Sequence, residues 1–587
     1  MGISTAFLIL MVTIMTRSEG KCPVDCTCQI VTNRKTVACN KGGMTEIPIN
    51  YMDLDTQVLI VTSPPENPNF LTIGRIFLHF SYLEEVYLTN SHVPAIGDSS
   101  FWPGRRIKIL QLSSNNITLL HDQDFNGLTN LEVLDISDNK IFATPSAPFR
   151  FLTNLKSLSL ARNRLNRLVP RFFYMLKKLE KLDLSGNPLK ELDPENLKDL
   201  RPLKVLRLAD CELMSLHSLV YQHLPNIQEL DLRNNNFFSL APEEFRHLKS
   251  LQILRLDGNV LSEIREKTFG GHKFKILGLS RNNIVKFLPC SFCNTSVKNL
   301  DVSHNRLSSL TTDVLAMVSN SLETFDLGFN PLDIYTVLTT VSVLTRLTNL
   351  SLAGMNIDKL LPDTFNKNPD LRYLNLSHNS IPGIPDEFLQ PLVNIEILDL
   401  SHNKLQELSF EILSTLNNTL SLQKFVLHSN TWRCLECNVG PLLEYFNQSD
   451  LYEKICQHKS DCLRCTTPLK LFGRGLMSLH KEELERCAIS FPQSHVGANA
   501  SKVGTITAVV IIIILVLIII SAIMIYKRQS ADYYTYEQER MEVTAYDNIA
   551  VVDKNGGLQM DMIQDSISSS NTRCEETRAK HQVNSIT

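Results

Sequence analysis

The chain has 587 residues, too many for one small core, and its 58 basic against 61 acidic residues leave a net charge near zero. That balance argues against a polyanionic partner, and an apolar fraction of 43% argues against disorder for most of the length. An internal repeat is the organisation to look for first.

The chain opens with an apolar run, Ala6 to Met15, that ends in Ser18-Glu19-Gly20. Small residues at Ser18 and Gly20 suit signal-peptidase cleavage before Lys21, so residues 1–20 read as a signal peptide. The alternative is a buried hydrophobic helix. Residues 21–55 follow as a cysteine-bearing segment, Cys22-Pro23-Val24-Asp25-Cys26-Thr27-Cys28 with Cys39 beyond.

Residues 56–432 repeat a phrase L-x-x-L-x-L-x-x-N-x-L, after a degenerate turn near Thr56–Val61. Phrases start at Leu83, Ile107, Leu131, Leu155, Leu179, Leu203, Ile227, Leu251, Phe274, Val297, Leu322, Leu347, Leu371, Ile395 and Leu422. These are 15 starts, mostly 24 residues apart. Alternating apolar residues such as Leu182 and Leu184 predict a short strand with one face inward. The asparagine, as at Asn139, Asn163 and Asn187, is expected to turn its amide inward onto backbone groups of adjoining coils. Ser91, Cys211 and Met355 stand where three phrases lack it, and Cys211 reads as a buried free thiol. A second register falls 18 residues after each start, at Phe101, Phe125, Phe149, Phe173, Leu197, Tyr221, Phe245, Phe269 and Phe292. Stacking would align these bulky residues as a spine on the convex side. A coil buries apolar surface only against its neighbours, so such an array needs capped ends.

Residues 433–488 supply the second cap, opening at Asn430-Thr431-Trp432-Arg433-Cys434 and closing at Cys487. From Cys22 to Cys487 the sequence resembles the animal extracellular leucine-rich-repeat family with cysteine-rich flanking caps. That family includes Toll-like receptor ectodomains, Slit-like guidance proteins and synaptic adhesion receptors. The resemblance implies an α/β solenoid: a curved horseshoe with a parallel concave sheet. It further implies Cys22–Cys28 and Cys26–Cys39 in the first cap, and Cys434–Cys465 and Cys437–Cys487 in the second. The extra cysteines Cys456 and Cys462 are expected to pair with each other. Cys434-x-x-Cys437 and Cys462-x-x-Cys465 also have the spacing of a four-cysteine zinc site, although a secreted domain favours disulfides. Cys290 and Cys293 flank Ser291-Phe292 and could close a tight local disulfide. No metal or cofactor is expected.

A concave surface of 15 rungs at ~4.8 Å would run roughly 70 Å. Side chains expected on it are Asp135, Arg162, Asp183, Arg207, Asp231, Arg233, Arg255, Asp257 and Arg281, beside Ile109, Val133, Val205, Ile253 and Ile276. Apolar residues amid mixed charge suit a protein ligand more than a nucleic acid, although each position taken singly is also an ordinary solvated strand site. Sequons stand at Asn116, Asn294, Asn349, Asn375, Asn417, Asn447 and Asn499. Asn349 and Asn375 fall on strand positions, so glycans there would leave the repeats from Leu131 to Phe274 as the open surface. His304, His378 and His402 share one repeat position and could sense pH, but Phe329 and Gly354 interrupt the row. Ser-His-Asn is moreover common usage in the family this chain resembles.

A stalk, 489–502, leads to an apolar segment at 503–526, which at 1.5 Å per residue is long enough for a ~30 Å hydrocarbon layer. Lys527 and Arg528 follow it, predicting a type I plasma-membrane protein with its N-terminus outside. The cytoplasmic tail, 527–587, is expected to be disordered and is too short for a kinase. Its Tyr546-Asp547-Asn548-Ile549 resembles both an endocytic tyrosine signal and a phosphotyrosine-x-asparagine adaptor site. No phosphate loop, His-Glu-x-x-His or nucleophile elbow occurs. The expected function is therefore a non-enzymatic adhesion or recognition receptor for an extracellular protein ligand or another cell-surface receptor. Homo- or heterodimerisation is left open, a cytosolic adaptor at Tyr546 is foreseen, and no nucleic acid is expected. An innate-immune pattern-recognition receptor or co-receptor without its own signalling domain is the alternative, and a membrane-tethered matrix-binding protein a third.

Overall fold

The structure, a computed structural model, describes residues 21–74, 76–456, 462–487, 514, 516–525 and 527. The chain divides into two units, Met1–Cys487 and Ala488–Thr587. In the second unit, residues 514, 516–525 and 527 are helical. No helix among the described residues is long and apolar enough to cross a membrane. The expected span at 503–526 lies only partly within the described residues. The signal peptide, the stalk with Asn499, and the Tyr546 motif lie outside them.

The first unit is a solenoid built on one sheet of 18 strands. Each phrase contributes one strand, usually three residues long, and all but the last, Lys424–Val426, pair in parallel with the strands of the coils before and after. Register is kept without slippage: Val133 faces Ser157, Ser157 faces Lys181, Lys181 faces Val205 and Val205 faces Glu229. The central leucine of each strand points inward and is buried, as at Leu134, Leu158, Leu182 and Leu206. The second apolar register is buried as well. Phe125 and Phe149 pack with ring centroids 5.6 Å apart, as do Tyr221 and Phe245, and Phe269 and Phe292. The two registers together form one continuous core from the first cap to the second.

The asparagine ladder explains why the phrase is so strict. Asn187 Nδ2 donates to Leu160 O at 2.9 Å and Leu184 O at 2.8 Å, and its Oδ1 accepts from Leu165 N at 3.1 Å. One side chain thus satisfies backbone groups of two coils that no strand pairing reaches. Where the asparagine is missing, the next coil compensates. Asn115 Oδ1 accepts from both Ser91 N and Val93 N. Asn235 does the same for Cys211 and Leu213, and Asn379 for Met355 and Ile357.

The residue just before the asparagine is left-handed in every one of the 15 phrases, from Asn90 to Ser429, with φ between 48° and 73°. Only Gly186, Gly258 and Gly354 occupy it without a Cβ penalty. From Ser114 to His402 a backbone bond to the following coil holds the residue there. Asp138 N donates to Ala161 O at 2.9 Å, and His378 N to Ser401 O at 3.0 Å. Histidine, asparagine and aspartate tolerate this conformation better than most residues, which gives the Ser-His-Asn usage a backbone cause.

Both ends are disulfide-bonded. Cys22–Cys28 and Cys26–Cys39 tie the hairpin Cys26–Val31 and Arg34–Cys39, whose second strand opens the parallel sheet against Val58–Val61. At the other end the pairs are Cys434–Cys465, Cys437–Cys487 and Cys456–Cys462, so every thiolate of the zinc alternative is already bonded. The helix Leu451–Cys456 packs against the last sheet strand, Lys424–Val426. Cys290 and Cys293 are also bonded.

Cys211 is free and fully buried, and burial pushes its thiol up to about 12. A thiol that keeps its proton is a poor nucleophile. Iodoacetamide should therefore leave Cys211 unmodified in the native chain and alkylate it in denaturant. Equal labelling rates in the two conditions would contradict its place in the core.

Candidate functional site: the central sheet face

The exposed face of the sheet carries two side-chain rows, one from each end of every three-residue strand. The leading row reads Ile109, Val133, Ser157, Lys181, Val205, Glu229, Ile253 and Ile276. The trailing row reads Gln111, Asp135, Ser159, Asp183, Arg207, Asp231, Arg255 and Gly278 in the same registers.

Aspartate recurs in the trailing row for a local reason. Asp135 Oδ1 accepts from Ser137 N at 2.9 Å, Asp183 from Ser185 N at 3.0 Å, and Asp231 from Arg233 N at 3.2 Å. The same turn recurs at Asp301–Ser303 and Asp399–Ser401. Each carboxylate closes the turn that follows its strand. Asp231 goes further: it is buried and its two oxygens grip the Arg233 guanidinium at 2.7–3.2 Å. It orients Arg233 and offers no free oxygen edge to a partner, a correction to its place among the surface candidates. Asp257 is also committed. It lies over Gly278, where a Cβ would collide with its carboxylate, and accepts from Ser280 N at 3.0 Å and Ser280 Oγ at 2.8 Å. Burial raises its pKa above the ordinary carboxylate value.

The arginines are less committed. Arg207 reaches Glu229 Oε1 at 3.2 Å and Asp183 at 3.9 Å, and Arg255 reaches the same Glu229 oxygen at 3.3 Å. Glu229 thus sits between two arginines from the strands on either side. It was absent from the residues singled out by sequence, because the leading row has no fixed residue type. Arg162 stands apart, bonded to Asp138 at 2.5 and 2.6 Å at the strand's trailing edge. Arg281 is exposed, and no carboxylate lies within 4 Å of it among the described residues. Val205, Ile253 and Ile276 flank the cluster, each half-buried. Asn349 and Asn375 fall in the strands Asn349–Ser351 and Tyr373–Asn375, on the same sheet but beyond these coils.

The histidines form a longer row than the repeat alone suggests. His304 stacks on Phe329 at 4.2 Å, Phe329 leans across Gly354 toward His378 at 6.0 Å, and His378 stacks on His402 at 4.2 Å. The two presumed interruptions are therefore what joins the row. His428 extends it, edge-on to His402 at 5.2 Å. Burial, then the neighbouring His378 and His428, hold His402 below its ordinary value near 6.5, while Asp399 opposes them.

The repeat, its buried asparagines and the bonded ends together make a leucine-rich-repeat solenoid fold. A leucine-rich-repeat family profile matches residues 81–141, 129–189, 153–213, 201–261 and 345–405. Trophoblast glycoprotein of Mus musculus is 26% identical over 151 residues, which is 26% of this chain and 34% of that protein. The chain thus spans about a third of the length of that relative. A leucine-rich-repeat protein of Leptospira interrogans shares the fold with a TM-score of 0.52 and 27% identity, over 61% of this chain and 90% of that one. Drosophila Toll in its complex with Spatzle aligns with a TM-score of 0.49 and 22% identity, over 75% of this chain and 60% of that one.

Proposed function

We propose that the chain is a single-pass cell-surface receptor that binds a protein ligand, without catalysis, through the sheet face of the coils from Leu131 to Phe274. The observation that carries this reading is the Arg207–Glu229–Arg255 cluster between Val205, Ile253 and Ile276. Arginine is enriched at protein interfaces, whose buried centres are more apolar than the surrounding surface. The bonded caps fit an oxidising, extracellular setting. In this reading 503–526 spans the membrane, the sequons are glycosylated, and Asn349 and Asn375 place glycans that close the C-terminal part of the sheet. Tyr546, Asn548 and Ile549 then serve uptake or adaptor recruitment on the cytoplasmic side.

The test is a binding screen of the full chain on cells against cell-surface and secreted proteins, followed by the double variant Arg207→Glu/Arg255→Glu. Affinity for the ligand recovered should fall at least tenfold, or ~1.4 kcal/mol. Unchanged affinity at normal surface expression would move the site off this face.

A further inference from the structure

The edge of the sheet that leads into the strands carries charge that neither the core nor the sheet face uses. The residue before each strand alternates in sign over six successive coils: Glu84, Lys108, Glu132, Lys156, Glu180 and Lys204. Neighbours pair, with Lys156 2.8 Å from Glu132, Lys204 2.8 Å from Glu180 and Lys108 3.9 Å from Glu84. The ladder by itself is therefore neutral.

Arg105, Arg106 and Lys178 stand beside it and change the balance. With Lys108 and Lys156 they line an open groove of about 500 Å³, where five cations face only Glu84 and Glu132. Neither Arg105 nor Arg106 has a carboxylate within 4 Å among the described residues. Their guanidinium groups lie instead over aromatic rings, Arg106 at 4.8 Å from Tyr82 and Arg105 at 5.9 Å from Trp102. Such contacts hold a cation in place without neutralising it. The floor is tied as well: Asn130 Nδ2 donates to Arg105 O and Asn154 Nδ2 to Thr129 O, both at 2.8 Å. Lys178 in turn bonds Asn154 Oδ1 at 2.6 Å.

Unpaired, pre-positioned cations call for an anionic occupant, and their arrangement calls for a linear one. Arg106 and Lys178 hold the same loop position three coils apart, so they are spaced roughly 14 Å along the edge by the ~4.8 Å strand interval. Guanidinium forks match the oxygens of sulfate or phosphate groups. A guanidinium group already lies over one face of Tyr82 and one of Trp102, so a base stacking there would have to displace it, which disfavours a single-stranded nucleic acid. The sequon in these coils, Asn116, follows its strand, whereas the groove residues precede theirs.

We propose that this groove binds a sulfated glycosaminoglycan chain, along an edge of the solenoid separate from the sheet face. The near-neutral composition concealed it, because the chain's net charge of −3 averages a local excess of cations away. The proposal rests on the extracellular placement above but not on the sheet-face ligand.

The full chain, purified in detergent, is titrated over immobilised heparin, with polyaspartate and a single-stranded oligonucleotide as competitors. Heparin should bind, and more weakly as salt rises. Arg105→Glu/Arg106→Glu/Lys178→Glu should weaken binding at least tenfold at physiological salt, while Arg207→Glu/Arg255→Glu leaves it unchanged. Arg106→Gln, a neutral change at an exposed site, should weaken it by about twofold or more and covers the case in which the triple variant misfolds. Failure of the unaltered chain to bind heparin overturns the proposal. So does full affinity in a folded triple variant or in Arg106→Gln, or competition by the oligonucleotide or polyaspartate at lower concentration than heparin. Loss of protein-ligand binding with heparin binding retained would instead bear only on the sheet face.

Discussion

Replacing Asn187 by alanine should destabilise the central solenoid by about 3 kcal/mol or more. The side chain is fully buried and makes three bonds to backbone groups, at Leu160 O, Leu184 O and Leu165 N. Each orphaned group costs ~1–3 kcal/mol when water cannot reach it. Alanine leaves a space too small to admit enough water to replace all three. The loss should be read locally, because a repeat array couples each coil mainly to its neighbours. Amide exchange at Leu165 should speed up well before the caps open. Asn236→Ala is the control: Asn236 is exposed and should change stability by no more than about 0.5 kcal/mol. If the two variants unfold at the same denaturant concentration, the ladder is not what holds the coils together. The natural exceptions agree with the argument, since at Ser91, Cys211 and Met355 the next asparagine accepts a second N–H.

Breaking the bond between Cys434 and Cys465 should cost ~2–5 kcal/mol, concentrated at the C-terminal end. Both cysteines are buried beside Trp432, and the strand Cys465–Thr467 pairs with Trp432–Arg433. The cap in turn covers the strand Lys424–Val426, whose outer edge pairs with no further strand among the described residues. Cys434→Ala/Cys465→Ala should therefore expose that edge, and proteolysis should cut first within 433–487 while the central repeats stay resistant. Resistance equal to the unaltered chain would show that the remaining two cap disulfides suffice.

What the sequence disclosed, and what it hid, follows from how each feature is encoded. Strands, spine and ladder were legible because each demands a residue type at a fixed interval: leucine inward, phenylalanine 18 residues after the start, asparagine under the turn. The left-handed position before the asparagine was not legible, because a backbone bond imposes it on residues as different as Arg162, Phe329 and Gly354. The role of Asp231 was misread for a related reason. Its spacing places it on the sheet face, but Arg233 folds back to cover it, a contact within one turn that no repeat interval encodes. Glu229 was missed because the leading row varies freely, and its importance comes from two arginines on neighbouring strands. The groove at Arg105 and Arg106 was hidden in loops that strand arithmetic ignores.

A glycan placed on the central sheet tests the claim of a sheet-face ligand most directly. Ser157→Asn converts Ser157-Leu158-Ser159 into the same tripeptide as Asn349-Leu350-Ser351, at the same strand position. Residue 157 lies between Val133 and Lys181 in the sheet, two strands from Arg207. Binding of the full chain on cells to its protein ligand is measured with glycan occupancy at residue 157 verified by mass spectrometry. The account predicts that the occupied variant loses at least tenfold in affinity while Ser157→Ala does not. Undiminished affinity with the glycan in place would contradict it.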